Sequence, residues 1–304
     1  MHILLTGGTG LIGSALCRRW VAEGHQLTVL SRRPQDVPRL CTASVRGIAR
    51  LEDYGDGPLD AVVNLAGQPV ADRPWTRARK ASLLASRVAL TERLVAWLGT
   101  RSQRPALLLN GSAVGWYGDG GERELREDAP PGQGDFASEL CQAWEDAARD
   151  AEALGIRVVL LRIGLVMSPR GGFLSRLLPQ FRFGLGGTMG SGRQWWPWIH
   201  LEDQIAAMDF LLRLDGASGP YNACAPQPAR NADFARSLGR ALGRPVWLPT
   251  PAAVLRLLLG EMSILMIGGQ RALPSRLLEA GFTFRFNDLD QALADLVGTK
   301  KDVP

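Results

Sequence analysis

The run Gly7-Gly8-Thr9-Gly10-Leu11-Ile12-Gly13 has the composition and spacing of a phosphate-binding loop, with glycines at 7, 10 and 13. It follows the apolar stretch 3–5 and opens an amphipathic segment at Leu11, so strand, tight loop and helix N-terminus come in that order. Gly7 permits the turn, Gly10 lets the backbone approach a pyrophosphate, and Gly13 lets helix and strand pack closely. The first helical turn then offers free N–H donors and the positive end of the helix dipole to an anion. Gly7, Thr9, Gly10, Leu11, Ile12 and Gly13 are therefore read as dinucleotide contacts.

The end of the second apolar stretch, 27–30, selects the dinucleotide. A reader of NAD places a carboxylate there for the ribose 2′-hydroxyl. This chain has Ser31-Arg32-Arg33, no carboxylate and two guanidiniums that suit a 2′-phosphate. The spacing favours NADP(H) over NAD(H). Two arginines simply solvated in a loop remain the alternative, because lysine occurs only at 80, 300 and 301 and arginine is used freely.

Other residues bear on a substrate. Glycines at 184, 186, 187, 190 and 192 precede Arg193 and Gln194. Such a loop allows close backbone approach, and Arg193 can pair with a phosphate or carboxylate; a plain surface loop is the other reading. Trp195, Trp196 and Trp198 either stack on a planar ligand or belong to the core. His200 either titrates near neutral pH in a site or makes a structural hydrogen bond at a helix start, with Asp203 near it. Cys141 is either a nucleophile or a buried thiol. Arg73, Pro74 and Trp75 follow the turn at 66–67 and are placed at the same mouth. No group of His, Cys and carboxylates has metal-ligand spacing.

The elements that must position these residues alternate. Apolar stretches at 3–5, 27–30, 61–65, 106–109 and 158–161 read as strands. Helical patterns at 11–23, 76–98 and 136–154 separate them. This alternation predicts an α/β fold, a Rossmann-type doubly wound parallel sheet. Beyond 165 the texture changes. Helices are expected at 173–183 and 202–212, and the Leu-rich stretches at 254–259, 264–267 and 273–280 suggest a smaller, mostly helical C-terminal lobe. The expected division is a core of 1–165, to which about 195–225 returns, and a substrate-side lobe of 166–194 and 226–298. The tail 300–304 is expected to fray.

Composition sets outer bounds. In 304 residues, 46% apolar and 21% charged content excludes wholesale disorder. No apolar run reaches the roughly 18 residues of a membrane span, so no membrane partner is expected. Four scattered cysteines without CxxC spacing, and no leader pattern, read as reduced thiols in a cytoplasmic protein. The net charge of +5 is spread over 35 cations and 30 anions, which argues against nucleic acid.

With these residues in hand, the chain resembles an extended, atypical short-chain dehydrogenase/reductase of the NAD-dependent epimerase/dehydratase family. It is most similar to the bacterial epimerase family proteins with a C-terminal domain of unknown function. The resemblance rests on the glycine loop, Asn64-Leu65-Ala66-Gly67, Gly111-Ser112-Ala113, Trp116-Tyr117-Gly118, Trp198-Ile199-His200 with Asp203, and Gly268-Gly269-Gln270-Arg271. It implies that Leu65, Ala66 and Gly67 pass the adenine and ribose of the bound dinucleotide, that Gly111 also meets the cofactor, and that Arg193, Gln194 and His200 face the substrate. It also implies a homodimer through the helices at 76–98 and 136–154.

The usual catalytic pair is missing. Members of that superfamily place Tyr-x-x-x-Lys on one helix face, where the lysine lowers the tyrosine pKa. The tyrosines here are Tyr54, Tyr117 and Tyr221, and four residues on lie Pro58, Gly121 and Ala225. With Glu145 as anchor, Ala137 and Cys141 take the two positions. Counting back from Tyr117 puts Ala113 at the helper-hydroxyl position, one residue from Ser112. Tyr117 as proton donor and Ser112 as substrate orienter are the substitutes the sequence offers. Two functional readings follow. One is an NADP(H)-dependent oxidoreductase or epimerase-like enzyme acting on a small carbonyl or sugar-nucleotide-like molecule. The other is a non-catalytic NADPH-binding sensor or regulator.

Overall fold

The computed structural model describes residues 1–298. Seven parallel strands form the central sheet: β1 (His2–Thr6), β2 (Gln26–Leu30), β3 (Arg46–Ile48), β4 (Ala61–Asn64), β5 (Leu107–Ala113), β6 (Arg157–Ile163) and β7 (Gly219–Ala223). Their order is β7-β6-β5-β4-β1-β2-β3. The order reverses between β1 and β4, and in such sheets ligands bind beyond the strand C-termini at that reversal. The Rossmann-type α/β architecture read from the sequence is the one observed.

Both faces of the sheet are covered, which is why the strands are continuous apolar runs. Alternate residues go to opposite faces: Ile3 and Leu5 pack with one layer, Leu4 with the other, all at 0% exposure. The first layer contains α1 (Leu11–Ala22), through Leu16, Cys17 and Trp20, and a later helix at Leu201–Arg213, through Met208 and Leu211. The Trp20 indole donates to Asp209 on that later helix at 2.9 Å, so its buried N–H is paired.

The second layer holds the long helix expected at 76–98, which is broken in two. It runs as α2 (Arg77–Leu84), a π-helical turn (Ala85–Ala89) and α3 (Leu90–Gly99). Beside it lies α4 (Phe136–Arg149), capped by the Asp135 carboxylate on the Ser138 N–H and tightening into 3-10 geometry over Asp150–Leu154. Beyond the sheet, α5 (Gly172–Arg182), α6 (Leu201–Arg213), α7 (Asn231–Leu242), α8 (Ala252–Leu259) and α9 (Leu289–Val297) complete the main helices. Leu174, Leu178 and Phe181 of α5, Phe234 and Leu238 of α7, and Leu293 of α9 build a separate cluster with Trp196 and Trp198.

Two strands of the central sheet are absent from the sequence reading. β3 is three residues long with a central glycine. β7 begins Gly219-Pro220, a pair that reads as a breaker. Proline is tolerated there because β7 is a sheet edge, pairing with β6 alone. The tail 300–304 lies outside the described residues. Among the described residues no helix is long and apolar enough to cross a membrane.

Candidate functional site

The glycine loop is shaped by contacts that leave no room for side chains at two positions. Gly7 has φ +70°, and a Cβ there would meet the Leu65 carbonyl oxygen at 2.5 Å. At Gly13 a Cβ would fall 2.4 Å from the Gly7 carbonyl oxygen. Gly10 differs: it caps α1 without any side-chain hydrogen bond, and its nearest obstacle is the Gly7 carbonyl at 3.3 Å. The first turn of α1 therefore keeps its N–H donors for an incoming anion. A buried polar ladder fixes the strand ends around it. The Thr6 hydroxyl donates to Asn64 and accepts from the Ala66 N–H at 3.1 Å. The Asn64 amide donates to Thr91 at 2.8 Å and to Asn110 at 2.6 Å. A cavity of about 460 Å³ opens at this end of α1, between Thr9, Gly10, Ser14 and Arg18 on one side and Arg170 and Gly171 on the other. Neither Arg18 nor Arg170 has an ion-pair partner among the described residues. These residues fit the pyrophosphate of a dinucleotide.

At the end of β2 the Ser31 hydroxyl accepts from the Arg33 N–H at 3.2 Å. Arg33 pairs with Asp36 at 3.3 Å. Arg32 is exposed and has no ion-pair partner among the described residues. The charge left over at this strand end is thus a guanidinium. Farther along the same edge, Gly111 lies against Trp144: a Cβ there would meet its indole at 3.2 Å. Gly67 faces Arg87, whose guanidinium carbon lies 2.7 Å from where a Gly67 Cβ would stand.

The two substitute catalytic residues are elsewhere engaged. Tyr117 is 2% exposed; its hydroxyl donates to Asn222 at 2.7 Å and accepts from Arg162 at 3.0 Å. Burial pushes its pKa up to about 12, against the pull of the Arg162 charge. Ser112 donates to the Glu145 carboxylate at 2.7 Å. Both hydroxyls belong to a buried network centred on Arg162, which grips Glu145 at 2.8 and 3.1 Å and stacks over Trp116 at 4.0 Å. The two hydroxyls that the sequence offers as proton donor and substrate orienter are thus enclosed in this network, and a phenol so placed holds strands and loops together. Sequence reasoning missed Arg162 because a single arginine ending an apolar strand carries no pattern.

The alignment of Ala137 and Cys141 on α4 is visible in space. Gly115 approaches both, its Cβ position lying 3.5 Å from the Ala137 Cβ and 3.6 Å from the Cys141 Sγ. Cys141 is buried, and that burial pushes its thiol up to about 12.

On the substrate side, Arg193 is exposed, and its carbonyl accepts from Arg230 at 2.6 Å. Gln194 is used structurally: its amide donates to Met189 at 2.9 Å and to Met266 at 2.8 Å, tying the glycine-rich loop to the C-terminal segment. Trp196 and Trp198 are core residues, whereas the Trp195 ring has the guanidinium carbons of Arg230 and Arg271 at 4.3 and 5.1 Å from its centre. Trp75 is buried edge-on against Phe136, 5.1 Å between centroids.

Of the two readings of His200, the structure shows the hydrogen bond at a helix start. It is 2% exposed, caps α6 by accepting from the Glu202 N–H at 3.1 Å, and stacks on Phe286 at 3.9 Å. Its Nε2 lies 3.3 Å from Asp295 without the alignment of a hydrogen bond. Burial lowers its pKa below the ordinary histidine value. The neighbouring Asp203 carboxylate accepts the backbone N–H groups of Arg285 and Phe286 at 2.8 and 2.9 Å.

Residues 3–224 match the family model described as NAD dependent epimerase/dehydratase family, and residues 250–296 match a domain of unknown function, DUF1731. This chain belongs to the NAD dependent epimerase/dehydratase family. It is 36% identical to the epimerase family protein YfhF of Bacillus subtilis (strain 168), with all of both chains covered. Its fold superposes on the crystal structure of the human epimerase family protein SDR39U1 (isoform 2) with NADPH, at TM-score 0.89 and 35% identity, covering 98% of this chain and 99% of that one. A nucleoside-diphosphate sugar epimerase from Corynebacterium glutamicum superposes with TM-score 0.78 at 30% identity, covering 98% of this chain and 58% of that one.

Proposed function

We propose that the protein binds NADP(H) in preference to NAD(H) and uses it as an oxidoreductase or epimerase-like enzyme on a small carbonyl or sugar-nucleotide-like substrate. The observation that carries this reading is the uncapped N-terminus of α1, cleared by Gly7, Gly10 and Gly13, beside a β2 end whose unbalanced charge is arginine. A guanidinium at that place suits a 2′-phosphate. The human relative solved with NADPH supports the same cofactor, and the name of the Corynebacterium relative supports a sugar-nucleotide class. In this reading the dinucleotide lies along Gly7–Gly13, Ser31–Arg33, Leu65–Gly67 and Gly111. Arg193 is the substrate-side anion contact that remains after Gln194 and His200 are assigned to structure. Four free, buried cysteines go with a reducing, cytoplasmic setting.

A second reading has its own support. Ala137 and Cys141 offer neither phenol nor amine, and the Tyr117 hydroxyl is enclosed. An NADPH-binding sensor or regulator without turnover needs neither. The deciding experiment screens the purified protein against a panel of small carbonyls and sugar nucleotides, following NADPH oxidation for a reductase and the appearance of the sugar-nucleotide epimer by NMR, with oxidised or reduced cofactor added, for an epimerase, which consumes no cofactor overall. Saturable cofactor oxidation or epimer formation with any of them favours the enzyme. Tight NADPH binding with no turnover, and a protein partner whose affinity follows the cofactor redox state, favours the regulator.

A further inference from the structure

Arg87 lies in the middle of the π-helical turn that interrupts the long helix between β4 and β5. Such single π turns widen the helix by one residue and re-aim a side chain, often at functional sites. Here the turn aims a guanidinium at the strand ends. It donates to the Gln68 carbonyl at 2.9 Å and, at 3.5 Å, to the Ser86 hydroxyl, and its carbon lies 5.2 Å from the centre of the Trp144 ring. No carboxylate pairs with it among the described residues. Of the other cations on this stretch, Arg79 pairs with Asp72 at 2.6 Å and Lys80 with Glu261, while Arg77 and Arg93, without ion-pair partners among the described residues, are exposed to solvent. Half-buried and without a carboxylate partner among the described residues, Arg87 is an uncompensated positive charge beside the strand ends.

The side of the sheet on which it stands bears on which half of a dinucleotide it would meet. The Ser31–Arg33 end of β2 claims the adenosine 2′-phosphate, and α1 claims the pyrophosphate. The second nucleotide then extends over the half of the sheet formed by β4, β5 and β6. Arg87 stands there, with its guanidinium over the ring of Trp144, which itself lies against Gly111 of β5. We propose that Arg87 supplies the fixed positive charge at the nicotinamide half of the cleft and thereby makes the site discriminate by redox state, holding the reduced cofactor in preference to the oxidised one. The physical reason is elementary. The reduced nicotinamide ring is neutral and the oxidised ring carries a positive charge, while the rest of the two molecules is identical. A cation near the ring leaves the first unaffected and repels the second. This inference rests on NADP(H) being the cofactor. It deepens that reading by giving the site a direction, that of a reductase or of a sensor of NADPH.

The test is a pair of titrations, NADPH followed by nicotinamide fluorescence and NADP⁺ by calorimetry, on the wild type, Arg87→Met and Arg87→Lys. The wild type is expected to bind NADPH more tightly, and Arg87→Met to shrink the ratio of the two dissociation constants about tenfold or more, chiefly by strengthening NADP⁺. Arg87→Lys keeps the charge and is expected to keep the preference. A merely structural role for Arg87 would weaken both ligands together and leave the ratio unchanged, which overturns the proposal. Equal affinity of the wild type for the two redox forms overturns it without any variant. Failure of the wild type to bind either form defeats the cofactor reading itself, a separate result.

Discussion

Replacing Arg162 by Met separates structure from catalysis in the buried network. Glu145, at 0% exposure, accepts from Ser112 at 2.7 Å, from Arg162 at 2.8 and 3.1 Å and from Arg149 at 3.2 Å. Arg162→Met keeps an apolar chain over Trp116 and removes both Arg162 contacts, leaving a buried carboxylate with one hydroxyl and the partly exposed Arg149. Removing one partner of a buried ion pair costs about 3–5 kcal/mol. With an unfolding entropy of about 2.1 cal/mol/K per residue, the 304-residue chain has roughly 0.6 kcal/mol/K, so the melting temperature should fall by about 5–8 °C. Thermal melts followed by circular dichroism at neutral pH measure it. The double variant Arg162→Met/Glu145→Leu removes both charges and should recover most of the loss. It should also keep NADPH affinity within about threefold, a margin well under the 1.4 kcal/mol of a tenfold change, because no hydrogen bond of the network reaches the glycine loop. A single variant that melts within about 1 °C of wild type would refute the energetic reasoning. A tenfold loss of NADPH affinity in the double variant would refute the assignment of Tyr117 and Ser112 to structure.

Two other outcomes follow from the same geometry. Gly10→Ala meets only the Gly7 carbonyl at 3.3 Å and should leave the melting temperature nearly unchanged while weakening NADPH, since its methyl group enters the pyrophosphate space. Gly13→Ala, with a Cβ 2.4 Å from backbone, should lower the melting temperature as well, and equal melting of the two variants would contradict the packing described. Glu127 gives a pH signature: its carboxyl is 4% exposed, one oxygen has no partner, and burial raises its pKa above 4.5. Between the unfolded and the raised folded value the folded state holds more protons, so this group's contribution to stability falls as pH rises through that window. Glu127→Gln keeps an oxygen for the N–H groups of Asn222 and Arg276 and should flatten that part of the stability profile; an unchanged slope would contradict it.

The dinucleotide half of the molecule was legible because its signals are local. The glycine loop, the strand before it and the helix after it lie within about twenty residues, and each glycine has a steric reason that spacing alone conveys. The buried network around Tyr117 was not. Tyr117, Asn222, Arg162 and Glu145 meet only after four separate segments fold together, and nothing in the spacing of Tyr117 says whether its hydroxyl faces a cleft or a buried arginine. His200 was read with both outcomes open, and the structure gives it the helix cap. Arg87 carried no sequence signal either, because a π turn cannot be told from α-helix by periodicity, and the reading ran one unbroken helix through it. β7 was hidden by Gly219-Pro220, residues permitted there only because the strand is an edge.

The central claim, that this cleft is built for NADP(H), is tested most directly by titrating the purified protein with NADPH and with NADH, as wild type and as Arg32→Ala/Arg33→Ala. Nicotinamide fluorescence reports both ligands. Tight binding of NADPH, weaker binding of NADH, and loss of that difference in the double alanine variant is the predicted result. Equal binding of the two cofactors by the wild type, or an NADPH affinity untouched by the substitutions, would contradict it.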